Sequence, residues 1–260
     1  MFLPTELLLI LVAGVLASVA GMIVVRRFIP GEKLSENNDY VGFTFSILSL
    51  IYGIYLAFTV VVVWQQYEDA EEKVTDEVVL LNALWQNMEP FPEEARDRFR
   101  RHLVAYTRNV IESDYPKMAH GLPYAANPFY DALWTDYYTL DPDPNDVRQM
   151  TFYAEGVTRM NDFATARRMR LLASTASLPT SMWVLLVTGA VGTIVFTWFY
   201  GTHYLSIQVA ATTFLSAVII YGVLLVAVLQ YPFSGGVRVT PEPYEELLVV
   251  FEERLDVRPR

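Results

Sequence analysis

The chain of 260 residues contains no cysteine, which excludes disulfides, thiolate zinc sites and cysteine nucleophiles. Its three histidines, His102, His120 and His203, lie far apart in sequence and form no metal-ligand spacing, so we interpret each as a surface or interface residue. No Walker loop, GxSxG elbow, HExxH motif or Rossmann fingerprint is present either. The sequence therefore predicts a protein that is not an enzyme and needs no cofactor or metal site.

Charged residues are also missing from stretches long enough to cross a lipid bilayer. No Asp, Glu, Lys or Arg occurs between Tyr40 and Tyr67 or between Leu171 and Val237. A bilayer core is about 30 Å thick and requires roughly 20 apolar residues as helix. With a mean hydropathy of +0.28, the chain is predicted to be an integral membrane protein. Its net charge of −10 argues against nucleic acid as a partner.

The apolar stretches divide into four predicted transmembrane helices. The first covers residues 7–25; a signal peptide cleaved near Ser18 is the alternative, which we disfavour because the basic n-region is missing. The second begins at Tyr40. The last long stretch is too long for one crossing, and a Gly-Thr-His turn divides it into a hairpin of residues 178–200 and 204–229.

The second predicted span continues beyond the membrane as one uninterrupted helix. Trp64 and Tyr67 mark the exit, because amphipathic rings favour the headgroup level. An apolar stripe then follows at helical spacing, formed by Ala70, Val74, Val78 and Leu81. We expect the acidic residues of this segment to lie on the solvated faces: Glu68, Asp69, Glu71, Glu72, Asp76 and Glu77.

The soluble segment after this helix is predicted to be helical as well. We expect a helix over 93–113 that buries Phe99, Leu103, Tyr106 and Val110, a loop over 115–128, and a short helix over 128–140. A long helix over 146–173 is predicted to bury Met150, Ala154, Val157 and Ala164. A C-terminal helix with Thr240 as its N-cap and Pro241 at its first position ends near Leu255.

These elements predict an all-α integral membrane protein with four spans and a helical soluble insert between the second and third. The expected domains are residues 1–68 (spans one and two), 69–175 (soluble, continuous with span two), 176–231 (spans three and four) and 232–260 (C-terminal loop and helix). Both termini and the insert share one side. Most Lys and Arg near span ends lie on that side, which predicts a multi-pass protein of the cell (inner) membrane with a cytoplasmic insert, although the first span alone favours the reverse.

One face of the second span is a candidate pore lining. Ser46, Leu50 and Ile54 recur once per turn, followed by Ala57 or Val61. No span contains an ionisable side chain, which argues against a proton relay and leaves a pore gated by constriction and dewetting. A neighbouring face carries the small residues Gly42, Ser46, Ser49, Gly53 and Ala57, which also suit close helix packing in lipid, and the two interpretations are compatible.

Two short motifs stand next to the predicted spans. The first is Tyr-Gly-Ile-Tyr at 52–55, an apolar run, and Trp-Gln-Gln-Tyr-Glu at 64–68. The second is Tyr-Pro-Phe-Ser-Gly at 231–235, directly after the fourth span. The motif residues are Tyr55, Trp64, Gln66, Tyr67, Glu68, Pro232 and Phe233. These motifs resemble the bestrophin family, and the chain as a whole resembles the bacterial bestrophin-like domain family of unknown function.

The resemblance implies a homopentameric channel for anions such as chloride, with an apolar neck formed by Ser46, Leu50 and Ile54. Bestrophins carry bulky side chains at all three positions, so the small Ser46 implies a wider or displaced constriction. Calcium-gated bestrophins have an acidic cluster after Pro-Phe-Gly. This chain has no carboxylate there before Glu242, so we expect no calcium clasp.

A non-conducting alternative remains open from the sequence. Residues 68–170 hold 12 basic and 19 acidic residues, a net charge of −7, and acidic walls repel anions from a cytoplasmic mouth. In that case the spans would anchor and oligomerise the chain, and the soluble helices of this scaffold or sensor would bind a partner.

Overall fold

The computed structural model describes residues 4–121 and 127–256, and within them every regular element is a helix. In chain order these are α1 (Pro4–Phe28), α2 (Gly31–Ser35), α3 (Asn38–Asn87), α4 (Glu93–Asn109), a π-helix (Val110–Asp114), α5 (Tyr115–Met118), α6 (Pro128–Tyr138), α7 (Val147–Ala173), α8 (Thr180–Trp198), α9 (Leu205–Leu229) and α10 (Glu242–Asp256). In this part of the chain α1, α3, α8 and α9 are long and apolar enough to cross a membrane.

The chain forms two compact units. The first contains the described residues up to Gln65 together with Ser177–Gln230 and Gly235–Val237. The second contains Gln66–Ala176, Tyr231–Ser234 and the described residues from Arg238 onward. The helix α3 therefore contributes its first part to one unit and its second part to the other.

In the first unit, glycines allow the helices to approach closely. A Cβ added to Gly14 of α1 would lie 2.8 Å from the side chain of Ile220 on α9. A Cβ on Gly189 of α8 would lie 2.5 Å from the ring of Tyr52, which α3 directs toward it. Cβ atoms in proteins essentially never lie this close to another heavy atom. Each of these two positions can therefore accommodate its large neighbour only because glycine has no side chain.

The short connection between α8 and α9 is fixed by the start of α3. Asn38 Nδ2 donates to the carbonyl of Gly201 at 2.7 Å, and the Gly201 N–H donates to Asn38 Oδ1 at 2.9 Å. Arg26 also donates to the carbonyl of Thr202. These bonds satisfy backbone groups of a turn that has no regular partners.

The second unit has its own aromatic core. The predicted stripe residues Ala70, Val74 and Leu81 of α3 are fully buried, as are the predicted core residues of α4 and the π-helix, Phe99, Leu103, Tyr106 and Val110. The ring of Trp85 stacks on Phe251 at a centroid distance of 4.5 Å, and Tyr106 meets Phe163 edge to face at 5.1 Å. Val78, the fourth residue of the stripe, is half-buried and packs against this core. The core prediction for α4 is confirmed, and so is that for Ala70, Val74 and Leu81 of α3.

Side-chain oxygens cap the N-termini of two helices in this unit. The side chain of Asp146 accepts from the N–H groups of Arg148 and Gln149 at 2.9 and 3.2 Å, and so begins α7. Asn127 accepts from the N–H of Phe129 at 3.1 Å and begins α6, with Pro128 at its first position.

Three details of the sequence prediction are wrong. The face of α7 that is buried carries Gly156, Met160, Phe163, Ala166 and Arg170, whereas Met150, Ala154 and Val157 are exposed. Two faces of this helix carry nearly equal numbers of apolar residues. Helical periodicity alone therefore did not identify the buried face correctly.

The predicted loop over 115–128 begins later than expected, because α5 covers Tyr115–Met118; its residues 122–126 lie outside the described part of the chain. Between α1 and α3 the chain forms the short helix α2. The last helix begins at Glu242, with Pro241 directly before it: the Pro241 carbonyl accepts from Tyr244 and Glu245.

Candidate pore-lining face and buried charge cluster

The three residues predicted to form a pore neck lie on one exposed face of α3. Ser46 is exposed, and the exposed fractions of Leu50 and Ile54 are 64% and 51%. Ala57 and Val61 continue this face and are exposed too. An α-helix advances about 100° per residue, so these positions fall within a sector of less than a quarter turn.

The opposite side of α3 is the one that packs within the first unit. Tyr52, Thr59 and Val63 are buried there, and a Cβ on Gly222 of α9 would lie 2.8 Å from Leu56. The chain's own helices thus cover one side of α3 and leave the side with Leu50 and Ile54 for lipid or for another copy of the chain.

The small residues of α3 separate into two groups. A Cβ on Gly42 would lie 3.5 Å from the ring of Tyr200, so this position is a packing contact. A Cβ on Gly53 would meet nothing within 4 Å. The hydroxyl groups of Ser46 and Ser49 donate to the carbonyls of Gly42 and Ser46 at 2.8 and 3.2 Å, which leaves their oxygen lone pairs as acceptors.

The first motif is distributed over both units. In the first unit, the Tyr55 hydroxyl donates to the carbonyl of Met182 at 2.8 Å and ties α3 to the start of α8. Trp64 is half-exposed. In the second unit, Tyr67 packs against the core, Gln66 is half-buried and Glu68 is exposed.

The second motif anchors the chain after α9. Phe233 is buried and meets the ring of Tyr115 edge to face at a centroid distance of 5.8 Å. The carbonyl of Pro232 accepts from the N–H of Val239 at 2.8 Å, and Gly235 adopts φ +93° between them. Glycine adopts a positive φ without steric cost, so its presence at this position allows the loop to turn back sharply.

A cluster of buried charges lies in the core of the second unit, and the sequence interpretation missed it. Arg170 donates through Nε to Glu77 Oε2 at 2.8 Å and through Nη2 to Asp114 Oδ2 at 3.1 Å. All three side chains have an exposed fraction of 0%. The Tyr106 hydroxyl donates to Glu77 Oε1 at 2.6 Å, and the Tyr244 ring lies 5.7 Å from the guanidinium carbon of Arg170.

Two guanidinium groups act on the two carboxyl groups of this cluster. Arg170 binds both carboxyl groups directly, Arg167 acts on Asp114 from nearby, and Asp114 Oδ1 accepts no hydrogen bond from the described residues. Burial raises the pKa of Asp114 above its ordinary value, against the opposing effects of Arg170 and Arg167. Burial by itself would lower the pKa of Arg170, but Glu77 and the neighbouring tyrosines raise it well above its ordinary value.

The prediction that Glu77 faces solvent is therefore wrong. The sequence did contain a signal: Glu77 lies three residues after Val74 and four before Leu81, inside the apolar stripe itself. A carboxylate inside such a stripe requires a buried cation, and no local pattern identifies Arg170, which is 93 residues away.

The residues after the second motif offer no metal site. Gly235, Gly236, Val237 and Arg238 follow Phe233 and Ser234. Across residues 4–121 and 127–256, no group of three or more His, Asp or Glu side chains is placed to hold a metal ion. The absence of a calcium clasp remains a prediction from the sequence.

Long apolar helices, joined to a helical unit with a charged surface, define this chain as an all-helical integral membrane protein. A family model for the Bestrophin-like domain matches residues 12–244, so the chain belongs to that family. The resemblance that was inferred from the two short motifs is confirmed.

Solved structures share the fold. A bacterial bestrophin homologue from Klebsiella pneumoniae aligns with a TM-score of 0.72 at 12% identity, over 95% of this chain and 99% of that chain. A single-residue variant of a bestrophin homologue from the same organism gives a TM-score of 0.69 at 15% identity, over 96% and 99% of the two chains. Among curated proteins, none matches this chain.

Proposed function

We propose that this protein is a bestrophin-type ion channel in which several copies, five in our proposal, surround an axis and α3 of each copy lines the pore. The main support is the face with Leu50 and Ile54, which is uncharged and which the chain's own helices leave uncovered; Ser46, one turn earlier, is exposed but also lines a cavity to which α8 and α9 contribute. Membership of the Bestrophin-like domain family agrees with this function.

The neck would be a hydrophobic constriction. Leu50 and Ile54 from each copy present branched aliphatic groups to the axis, and water leaves a narrow apolar passage readily, so small changes in width open or close it. Ser46 would contribute a ring of hydroxyl oxygens one turn away from Leu50. With a small residue at this position, the passage is widest at Ser46 and narrowest at the two aliphatic rings.

The membrane topology follows from the same proposal. The four apolar helices α1, α3, α8 and α9 would each cross the membrane once, which places both termini and the soluble helices on one side, in our proposal the cytoplasm. The domains would be residues 1–68, 69–175, 176–231 and 232–260. The protein is then a multi-pass component of the inner membrane that requires a bilayer and further copies of itself as partners.

We propose anions such as chloride as the conducted ions. A neck without fixed charge does not attract ions of either sign, so the cost of removing water from the ion decides which ions pass. This cost is smaller for a large anion than for a small cation. We propose no catalytic activity, since α3 provides an ion path and no reacting group.

The test is chloride flux through the purified protein reconstituted in liposomes, combined with the mass of the detergent-solubilised particle. We expect flux above that of protein-free liposomes, and a particle of five subunits. A monomer or dimer, or a pentamer without flux of any monovalent ion, would contradict the proposal.

A scaffold or sensor without conduction is the second candidate, and one observation favours it. Glu68, Asp69, Glu71, Glu72 and Asp76 of α3 are all exposed, and a surface of this charge repels anions. A soluble partner with a basic surface would be its expected ligand. An oligomer that retains such a partner but shows no flux would support this function over the channel.

A further inference from the structure

A cavity of about 700 Å³ lies within the first unit, where α3 begins, α8 ends and α9 begins. Tyr200 and Tyr204 are exposed at this end of the helices, as is Tyr40 at the start of α3. Exposed tyrosines at the ends of apolar helices are typical of the headgroup region of a bilayer. The cavity is therefore placed where lipid head groups lie.

The charged side chain among the residues that line the cavity is acidic, and a cation lies directly behind the wall, where Arg26 donates to the carbonyl of Thr202. Asp39 lines the cavity and is exposed, and none of the residues in the wall is Lys, Arg or His. The structure gives Asp39 no ion pair with any residue in the described ranges. A cationic group is the ligand that this carboxylate would attract.

Aromatic rings form a large part of the same wall. Phe43 and Phe45 of α3, Phe196 of α8, and Tyr200 after α8 all line the cavity. The negative faces of aromatic rings stabilise organic cations, and they do so more strongly where water is excluded. The rings also provide the apolar contact that a bare metal ion would not use.

The side-chain oxygen of Gln208 is a buried hydrogen-bond acceptor that no donor of the described residues reaches. This residue lines the cavity, and its exposed fraction is 4%. Its Nε2 donates to the carbonyl of Tyr200 at 2.8 Å, which fixes the orientation of the amide, because a flipped amide would place two oxygens together. Its Oε1 accepts no hydrogen bond from the described residues. A buried acceptor in this state is stabilised by a ligand that carries an N–H or O–H group.

We propose that this cavity binds a primary ammonium group carried by a lipid, as in an aminophospholipid such as phosphatidylethanolamine. Asp39 would neutralise the ammonium, the rings would surround it, and Gln208 Oε1 would accept one of its N–H groups. The apolar side chains of Ile207, Ala211 and Leu215, which line the cavity along α9, would contact the glycerol and the first acyl carbons. Ser46 also lines this cavity, so a bound lipid would lie beside the proposed neck; the inference itself rests on the cavity and not on ion conduction.

The test measures which lipid stays bound to the purified protein. The full chain in a nonionic detergent is mixed with equal amounts of phosphatidylethanolamine, phosphatidylcholine and phosphatidylglycerol with identical acyl chains, and retained lipid is measured by native mass spectrometry. We expect phosphatidylethanolamine to be retained about tenfold more than the others, as one charge-assisted hydrogen bond of about 1.4 kcal/mol would give. Phosphatidylcholine tests the N–H requirement, because its quaternary group has no donor.

Variants assign the preference to the cavity. Asp39→Asn and Gln208→Met are expected to remove the preference, whereas Glu36→Gln removes a nearby exposed carboxylate that does not line the cavity and should keep it. Because Asp39 is exposed, its variant folds and decides the question even where Gln208→Met fails to fold.

Equal retention of the three lipids, or an unchanged preference in Asp39→Asn, would overturn the proposal. A parallel arm with free ethanolamine separates the two sources of a primary amine. If ethanolamine raises the melting temperature of the protein but no lipid is preferred, the site binds a small soluble amine and the assignment to a lipid is wrong.

Discussion

Arg170 on α7 donates its Nε–H to Glu77 of α3 over 2.8 Å, and neither side chain has any exposed surface. This ion pair joins two helices that are 93 residues apart in the chain. Taking both charges out of water is costly, and their mutual attraction offsets that cost only while both partners are present.

We expect Arg170→Met to be strongly destabilising. The change keeps most of the side-chain volume but removes the guanidinium that hydrogen-bonds both Glu77 and Asp114, which costs about 3–5 kcal/mol. The melting temperature of the full chain in detergent, followed by intrinsic tryptophan fluorescence, measures this loss.

Arg168→Met is the matched control, because Arg168 lies on the same helix two residues earlier and is exposed. It should melt within a degree or two of the parent protein, as surface changes usually do. Equal melting temperatures for the two variants would show that the buried pair does not stabilise the second unit.

We expect Asp114→Asn to be neutral or stabilising at pH 7. Burial raises the pKa of Asp114 by more than Arg170 and Arg167 together lower it. A carboxyl group with a raised pKa stabilises the folded state below its ordinary pKa, and this contribution is lost as pH rises through the raised value. The amide cannot ionise, so the variant avoids that loss.

The measurement is the melting temperature of both proteins from pH 4 to pH 8. The parent should lose stability relative to the variant as pH increases across the range above the ordinary aspartate pKa. A variant that is less stable than the parent at pH 7, with the difference growing toward high pH, would mean that ionised Asp114 is favourable in the core.

Leu50→Ala and Ile54→Ala are expected to increase ion flux in liposomes. Smaller side chains widen an apolar neck and lower the barrier to hydration, and each 1.4 kcal/mol removed raises the rate about tenfold. Ile51→Ala is the control: Ile51 is as exposed as Leu50, at 63%, but is rotated from it by about 100° around α3. A larger effect from Ile51→Ala than from Leu50→Ala would place the pore on another face of the helix.

Gly189→Ala should destabilise the first unit. The added Cβ would lie 2.5 Å from the Tyr52 ring, so α3 and α8 must separate, at about 1–3 kcal/mol. Gly192→Ala on the same helix adds a methyl group where nothing lies within 4 Å, and it should leave the melting temperature unchanged. Similar melting temperatures for both variants would argue that Tyr52 does not pack tightly on α8.

Much of the fold could be predicted because its signals are local. The apolar helices α1, α8 and α9 follow from length and hydropathy, and proline residues after Asn87 end α3. The core face of α4 follows from helical periodicity. The short motifs at 52–68 and 231–235 led to the family, because a motif is visible without any knowledge of packing.

Of the two candidate functional sites, one could be predicted from the sequence and the other could not. The exposed face of Leu50 and Ile54 could be named from spacing along a single helix. The cavity beside Asp39 could not, because its wall combines residues from α3, α8 and α9, with Gln208 more than 160 residues from Asp39. Only the folded chain brings these groups together.

The sequence by itself determined where the chain is helical and which helices are apolar, since those properties depend on neighbouring residues. The tertiary structure decided which face of each helix is covered: Glu77 inside the core, Met150 outside it, and Leu50 uncovered. The physical reason is that a side chain's burial depends on helices from distant parts of the chain. Their contacts can reverse what the local pattern indicates.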